Sequence, residues 1–125
     1  MLADKDAAAN LAVRDLAVAK RFYEGMLGLV PVDAEGDELI VYRSGRSLLN
    51  VYRSDYAGTN QATAVTWEVG GDIDGVVRAL QAKGVRFEHY DMPGMTLDGD
   101  VHVAGGMKIA WFKDPDGNIL NVVGG

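Results

Sequence analysis

One arrangement of strands around a single helix occurs twice in this sequence, and this repeat constrains the fold more than any other feature. Gly28 and Gly84 each follow an apolar helical stripe, and Leu49-Asn50-Val51 returns as Leu120-Asn121-Val122 near the end of the chain. A repeat array needs at least about three copies, whereas this sequence has room for two. We therefore predict a single domain over residues 1–125, with one module at about 8–53 and a second at about 62–124.

The first module has the pattern of a strand, a helix and three further strands. Alternating apolar residues predict strands at 10–14, 38–43 and 47–52, with a short strand at 29–33. Asp15 is a candidate N-cap for a helix that runs from about Leu16 to Leu27 and ends at Gly28.

The second module repeats this order. We predict strands at 62–69, 85–90, 107–112 and 118–123, with a helix between Asp72 and Gly84. Asp114-Pro115-Asp116-Gly117 has the composition of a type I turn. The Gly-rich segment from Asp91 to Gly106 is predicted to be a long mobile loop, of the kind that often covers a binding site.

Composition excludes several classes of function. The absence of Cys excludes disulfide scaffolds, thiolate metal sites and cysteine nucleophiles. A net charge of −6 argues against nonspecific binding to nucleic acid or to an anionic membrane. The chain has neither the basic start and apolar run of a signal peptide nor a long apolar span, so we expect a cytoplasmic protein.

Three segments carry a family resemblance. DLAVAKRFYEGMLGL and DIDGVVRALQAKGV resemble the two helices of the vicinal oxygen chelate superfamily, and FKDPDGNILNVV resembles its closing hairpin. This superfamily includes glyoxalase I, bleomycin-resistance proteins, extradiol dioxygenases and fosfomycin-modifying enzymes. The resemblance implies an α+β fold in which two pseudo-symmetric βαβββ modules form a half-barrel cup. It also implies a homodimer.

The enzymes of that superfamily hold a divalent metal with His, Gln or Glu side chains from the first and fourth strands of each module. By resemblance, these positions fall on Ala8, Asn50, Ala64 (or its neighbour Thr63) and Asn121. Alanine has no donor atom, and neutral amides are far weaker ligands than carboxylates. We therefore expect neither a metal nor another cofactor.

Strand alternation assigns a further set of side chains to the face turned away from the helices. Trp67 would lie on the opposite face, against the second helix. Tyr42 and Trp111 occupy matching strands and are candidates for stacking on a flat ligand, or for stabilising the sheet or a dimer contact. The candidate ligand-binding residues are Asn10, Tyr42, Asn50, Tyr52, Thr66, Glu68, Met95, His102, Trp111 and Asn121.

Three side chains are candidates for general acid–base catalysis: Glu68, His89 and His102. The alternative for Glu68 is a solvated charge at the end of a strand. The alternative for each His is a surface residue on a mobile segment. Neither a nucleophile elbow nor a phosphate-binding glycine motif is present.

These features favour a protein that binds a small, partly apolar or aromatic molecule without a metal, as a drug-sequestering protein does. The alternative is an enzyme of the superfamily that acts on a small metabolite as a lyase, isomerase or dioxygenase-like catalyst at a non-standard site. A third possibility is a scaffold dimer whose cup is filled by side chains.

Overall fold

A computed structural model describes residues 1–125, and the chain divides into two compact units. Unit 1 comprises Met1–Thr59 and unit 2 comprises Asn60–Gly125. Each unit consists of one open β-sheet and one helical segment, so the predicted α+β class is confirmed.

Unit 1 has the predicted order of one strand, one helical segment and three strands. The sheet has the strand order β1-β4-β3-β2, in which β1 and β4 are parallel and the other neighbours are antiparallel. Its elements are β1 (Ala8–Val13), α1 (Leu16–Lys20), a π-helical segment (Arg21–Met26), β2 (Val30–Glu35), β3 (Leu39–Ser44) and β4 (Ser47–Arg53).

The helical segment of unit 1 begins and ends at the predicted residues but changes its winding in between. The Asp15 carboxylate accepts a hydrogen bond from the Ala17 amide at 2.8 Å, which confirms the N-cap. After Lys20 the backbone widens into a π-helix, and the Leu27 amide donates to the Phe22 carbonyl at 3.0 Å. The predicted helix from about Leu16 to Leu27 is thus an α-helix followed by a π-helix, two windings that apolar spacing does not distinguish.

One face of the sheet of unit 1 packs against this helical segment. Tyr42 on β3 is fully buried, and its ring lies 6.0 Å from that of Tyr23. Its hydroxyl donates to the Glu24 carboxylate at 2.8 Å. Leu49, which pairs with Tyr42, and Val51 on β4 are also buried and complete this apolar face.

Unit 2 has a larger sheet, with strand order β5-β10-β9-β8-β7 and with β6 also paired to β9. Helix α2 contacts β5, β9 and β10. Trp67 and Phe112 stack at 6.3 Å, and Trp67 pairs with Val122. The elements are β5 (Thr63–Gly70), α2 (Ile73–Ala82), β6 (Phe87–Glu88), β7 (Thr96–Asp98), β8 (Val101–Ala104), β9 (Met107–Lys113) and β10 (Ile119–Gly124).

The predicted mobile loop from Asp91 to Gly106 contains a β-hairpin, so this prediction was wrong. Strands β7 and β8 pair across a turn that includes Gly99, whose φ is +62°. Strand β8 continues the sheet by pairing with β9. The predicted strand 85–90 shrinks to β6, which pairs with the other end of β9. Glycine supplies the positive φ that such turns need, so the Gly-rich composition reflects turns as well as loop.

The predicted turn before the last strand is confirmed, and it has a buried carboxylate at its centre. Asp114 accepts hydrogen bonds from the amides of Asp116 and Asn118, each at 2.9 Å, and from the Asn118 side chain at 2.8 Å. The Gly117 amide closes the turn on the Asp114 carbonyl at 3.0 Å. Neither helical segment has the length and apolar character required to cross a bilayer.

Candidate functional site

In each unit, a polar pair lies at the centre of the sheet face opposite the apolar face. In unit 1 the parallel register of β1 and β4 places Asn10 beside Asn50. In unit 2 the parallel register of β5 and β10 places Thr66 beside Asn121. Strand pairing sets side chains that are partners in register on the same face of a sheet. Each pair therefore shares its face with the residues two positions before and after it along these strands.

The pair in unit 1 is satisfied within the protein and open to solvent. The Asn50 side-chain amide donates to the Asn10 side-chain oxygen at 3.2 Å. Asn10 and Tyr52 are exposed, while Asn50 is half-buried. These three predicted ligand-binding residues therefore share one open face of the sheet.

Tyr42 does not belong to this face, so its prediction as a stacking residue is corrected. Tyr42 pairs with Leu49, whereas the neighbour of Asn50 is Val41. In unit 2 the partner of Asn121 is Trp111. The counterpart of Trp111 is therefore Val41, and the Tyr42 ring is held on the helix side by Glu24. The sequence placed Tyr42 and Trp111 on matching strands, but their side chains point to opposite faces.

In unit 2 the corresponding face carries an aromatic cluster around Trp111. The His102 ring lies 4.9 Å from Trp111 and the Tyr90 ring lies 5.4 Å from it, both edge to face. Tyr90 and His102 lie 6.4 Å apart with nearly parallel rings. The Trp111 indole N–H donates to the Thr63 hydroxyl at 3.2 Å. We call Tyr90, His102, Trp111 and Asn121 the Trp111 cluster.

Three buried polar atoms of the Trp111 cluster have no hydrogen-bond partner in the protein. They are the Tyr90 hydroxyl, Nδ1 of His102 and Oδ1 of Asn121. His102 is 2% exposed and Asn121 is 7% exposed, so solvent has little access to them. Leaving a buried polar group unpaired costs about 1–3 kcal/mol, so such groups usually bind an ordered water, an ion or a ligand.

The hydrogen bonds of His102 indicate the tautomer of its ring. Nε2 lies 3.0 Å from the Tyr90 amide nitrogen and 3.2 Å from the Tyr90 carbonyl oxygen. A backbone amide can only donate, so the shorter contact makes Nε2 an acceptor. The proton of the neutral ring then lies on Nδ1, which becomes a buried donor. The Trp111 cluster therefore offers a donor at His102, an acceptor at Asn121 and a hydroxyl at Tyr90.

A cavity of about 420 Å³ adjoins this cluster, and it shares Tyr90 and His102 with it. Met95, a predicted ligand-binding residue, is half-buried in its wall. The cavity is lined by His89, Tyr90, Asp91, Met92, Met95, Leu97 and His102. Thioether and aliphatic side chains in this wall suit apolar parts of a ligand.

His89, a predicted catalytic candidate, is held by a carboxylate at the mouth of this cavity. Its Nε2 lies 2.7 Å from Oδ1 of Asp100, and the other carboxylate oxygen accepts from the Gln81 side chain at 2.6 Å. The hydrogen bond from His89 lowers the pKa of Asp100; partial burial opposes this, and the Gln81 hydrogen bond adds to it. Asp100 therefore stays ionised.

Glu68, the third catalytic candidate, lies apart from the Trp111 cluster. Glu68 is exposed on β5 and lines a separate, mostly apolar cavity of about 450 Å³ with Met107, Ile109 and Val123. Thr66 is exposed beside Asn121. The structure thus brings together His102, Trp111 and Asn121 near Met95 and His89, and leaves Glu68 in another cavity of the same unit.

The residues at the expected metal positions do not fit a divalent metal. Ala8 pairs with Leu48, so the neighbour of Asn50 is Asn10. Likewise Thr66, rather than Ala64 or Thr63, pairs with Asn121. Even with this corrected register, the four side chains are three amides and a hydroxyl, all neutral. The structure also contains no group of three or more His, Cys, Asp or Glu side chains suited to a metal.

Sequence reasoning missed Tyr90 and the contact between Gln81 and Asp100. Tyr90 had a partial signal, because it ends the predicted strand 85–90 two residues after Glu88 and so shares its face; the structure then pairs Glu88 with Trp111. The Gln81 contact had none, since it joins α2 to the β7–β8 turn, which was predicted to be loop.

Comparison with known proteins points to one family. A family model described as Glyoxalase/Bleomycin resistance protein/Dioxygenase superfamily matches residues 7–122. A comparison with curated protein sequences finds no match.

Solved structures with this fold include three that span almost the whole chain. A lactoylglutathione lyase from Agrobacterium tumefaciens is 19% identical with a TM-score of 0.72, and the alignment covers 98% of this chain and 94% of that one. A fosfomycin resistance protein from Listeria monocytogenes is 13% identical, with a TM-score of 0.73 and coverages of 95% and 91%. A glyoxalase/bleomycin resistance protein/dioxygenase from Alicyclobacillus acidocaldarius is 16% identical, with a TM-score of 0.74 and coverages of 97% and 91%. At these identities the similarity concerns the fold alone.

Proposed function

We propose that this chain, which belongs to the glyoxalase/bleomycin resistance protein/dioxygenase superfamily, binds a small, partly aromatic molecule in unit 2 without a metal. The observation that carries this proposal is the set of three buried, unpartnered polar atoms around Trp111. A ligand with matching polar groups would satisfy all three.

The chemistry of these atoms describes the ligand. Oδ1 of Asn121 requires a donor, and Nδ1–H of His102 requires an acceptor. The Tyr90 hydroxyl serves as either. The rings of Tyr90 and Trp111 and the nearby Met95 suit a flat apolar body. An aromatic amide or lactam combines these properties in one small molecule.

Tryptophan fluorescence tests this proposal, because the chain has two Trp residues. In a Trp67→Phe background, Trp111 is the single emitter. We expect benzamide to change its emission saturably and toluene, which has the ring without the amide, to have a smaller effect. Adding Asn121→Leu to this background should abolish the preference for benzamide. If benzamide and toluene change the emission equally in the Trp67→Phe protein, with Asn121 still present, the polar atoms have no role in binding.

Metal independence is tested separately by elemental analysis of the purified protein. We expect no stoichiometric transition metal, because the residues at the four metal positions are neutral. Binding of the aromatic probe should survive dialysis against a chelator. A bound metal at one equivalent per chain would refute the metal-free site.

We further propose that the chain forms a homodimer and acts in the cytoplasm. Leu48 and Tyr52 expose apolar surface on the open face of unit 1, at 42% and 37%. Sedimentation equilibrium should report about twice the chain mass of 13.4 kDa. A mass equal to that of a single chain at micromolar concentration would exclude the dimer.

A further inference from the structure

We infer that His89 and Asp100 form a carboxylate–imidazole pair that serves the 420 Å³ cavity as a general base and hydrolyses small esters with an apolar acyl group. This activity goes beyond ligand binding at Trp111, since neither His89 nor Asp100 belongs to the Trp111 cluster.

The first argument is the way in which His89 is held. The Asp100 carboxylate binds Nε2 of His89 at 2.7 Å and accepts a hydrogen bond from the Gln81 side chain at 2.6 Å. Gln81 therefore holds Asp100 in place, and Asp100 orients the imidazole of His89. An ionised carboxylate favours the tautomer with the proton on Nε2. Nδ1 is then the basic nitrogen. The His89 side chain is 49% exposed, so water reaches it.

The second argument is the cavity beside His89. The His89 and His102 rings meet edge to face with their centroids 6.2 Å apart, and both side chains line the cavity. Met92, Met95 and Leu97 line it as well, so an ester with an apolar acyl group would lie against these side chains with its carbonyl group near His89.

The reaction balances without any further reactant. His89 Nδ1 accepts a proton from water while the water oxygen forms a bond to the ester carbonyl carbon. The carbonyl electron pair moves onto the oxygen. The carbon–oxygen bond to the alcohol then breaks, and the proton on Nδ1 passes to the departing alkoxide. The products are one carboxylic acid and one alcohol. Met92, Met95 and Leu97 would hold the apolar acyl group.

The test is the hydrolysis of p-nitrophenyl acetate and p-nitrophenyl butyrate by the whole chain and its variants. The wild type should exceed an equal concentration of free imidazole, with butyrate favoured over acetate. His89→Gln should reduce the rate to background. Asp100→Asn should lower it on the order of ten- to a hundredfold, because the base is no longer oriented. Asp98→Asn is the matched control: it removes the same charge from the same hairpin and should keep the rate.

A spectroscopic measurement separates orientation from a merely structural role. Nitrogen NMR of the two His residues should show His89 with its proton on Nε2 in the wild type and a mixture of tautomers in Asp100→Ala. A proton on Nδ1 in the wild type, a full rate in His89→Gln, or an acyl group trapped on His89 would each overturn the general-base assignment. If benzamide binds at Trp111 but no ester is hydrolysed, the hydrolase inference fails and the binding proposal stands.

Discussion

In unit 1, the central polar pair Asn10–Asn50 lies on an open sheet face and bonds within itself. In unit 2, the corresponding Asn121 lies buried beside Trp111, and its side-chain oxygen has no partner. The strand order that positions these residues is the same in both units, with the pair on two parallel neighbours. What differs is the edge of the sheet, which ends at β2 in unit 1 but continues past the equivalent β8 to β7 in unit 2, where β6 and Tyr90 are also additions.

This difference shows how a repeated unit can separate stability from function. A hydrogen-bonded pair in contact with water changes the free energy of folding only slightly. A buried, unsatisfied side chain such as Asn121 lowers stability, but it leaves a polar atom available for a ligand in a site from which water is largely excluded. We therefore expect substitutions at matched positions of the two units to differ in size, and in one case in sign.

The largest difference is expected between Trp111→Ala and Val41→Ala, the two positions that pair with the central Asn of each unit. Trp111 is 8% exposed and contacts Tyr90 and His102, so its truncation should cost about 3–5 kcal/mol of unfolding free energy. Val41 is half-buried, and its truncation should cost about 1 kcal/mol. Urea unfolding measures both, and equal losses would show that the two faces are equally packed.

The hairpin turns that precede the last strand of each unit give the next comparison. Asp114 is 5% exposed and accepts three hydrogen bonds, so Asp114→Ala should lower the unfolding free energy by about 3 kcal/mol. In the turn of unit 1, the exposed Ser47 hydroxyl donates to the Ser44 carbonyl at 2.8 Å. Ser47→Ala should cost about 0.5 kcal/mol, because water replaces this bond. A small loss at Asp114 would contradict the structural role of its carboxylate.

A difference in sign is expected at the central Asn residues. Asn121→Leu replaces a buried, unpartnered oxygen with apolar atoms of similar volume and should raise the unfolding free energy by about 1 kcal/mol. Asn50→Leu removes a hydrogen bond at a half-buried site and should lower the unfolding free energy by less than about 0.5 kcal/mol. Thermal and urea unfolding test this directly. Destabilisation by Asn121→Leu would indicate that the oxygen is satisfied in the folded protein.

The smallest effects concern the pH limits of stability, which differ between the units. Burial, followed by the hydrogen bond and the charge of Glu24, raises the pKa of Tyr42 in unit 1. The neutral Tyr42 hydroxyl stabilises the folded state below its unfolded pKa of about 10. This contribution is lost as the pH rises through the folded pKa. Tyr42→Phe should therefore remove part of the alkaline loss of stability.

Asp100 in unit 2 has the opposite sign. Its pKa is lowered, chiefly by the His89 hydrogen bond. The ionised carboxylate therefore stabilises the folded state above its unfolded pKa of about 4, and this contribution is lost as the pH falls through the folded pKa. Asp100→Asn should flatten the acid side of the stability profile, whereas Asp98→Asn should flatten it less. Unfolding curves recorded from acid to alkaline pH measure both variants. An unchanged acid profile in Asp100→Asn would show that the contact with His89 is absent in solution.

Much of the fold could be predicted from local signals. Asp15 and Gly28 mark the ends of the first helical segment, and Asp114 to Gly117 marks the last turn, because capping and turn geometry depend on residues close in sequence. The candidate site was predicted only in part. His102 and Trp111 were named, but His102 was assigned to a loop, since the short strand β8 gains its order from pairing with β9. Tyr42 was named as a stacking candidate because its strand matches that of Trp111, but a matching strand does not give the face, and its ring packs on the helix side against Tyr23.

The sequence by itself determined the repeated strand order, the helix ends, the family and the loss of ionisable side chains at the expected metal positions, all of which depend on residue type and local spacing. Only the tertiary structure decided that unit 2 buries its central Asn beside Trp111, while unit 1 leaves Asn50 in an open pair. Burial and hydrogen-bond satisfaction arise from strands and turns that are distant in sequence. A matching Leu-Asn-Val in both units therefore serves one unit as a surface pair and the other as a candidate ligand site.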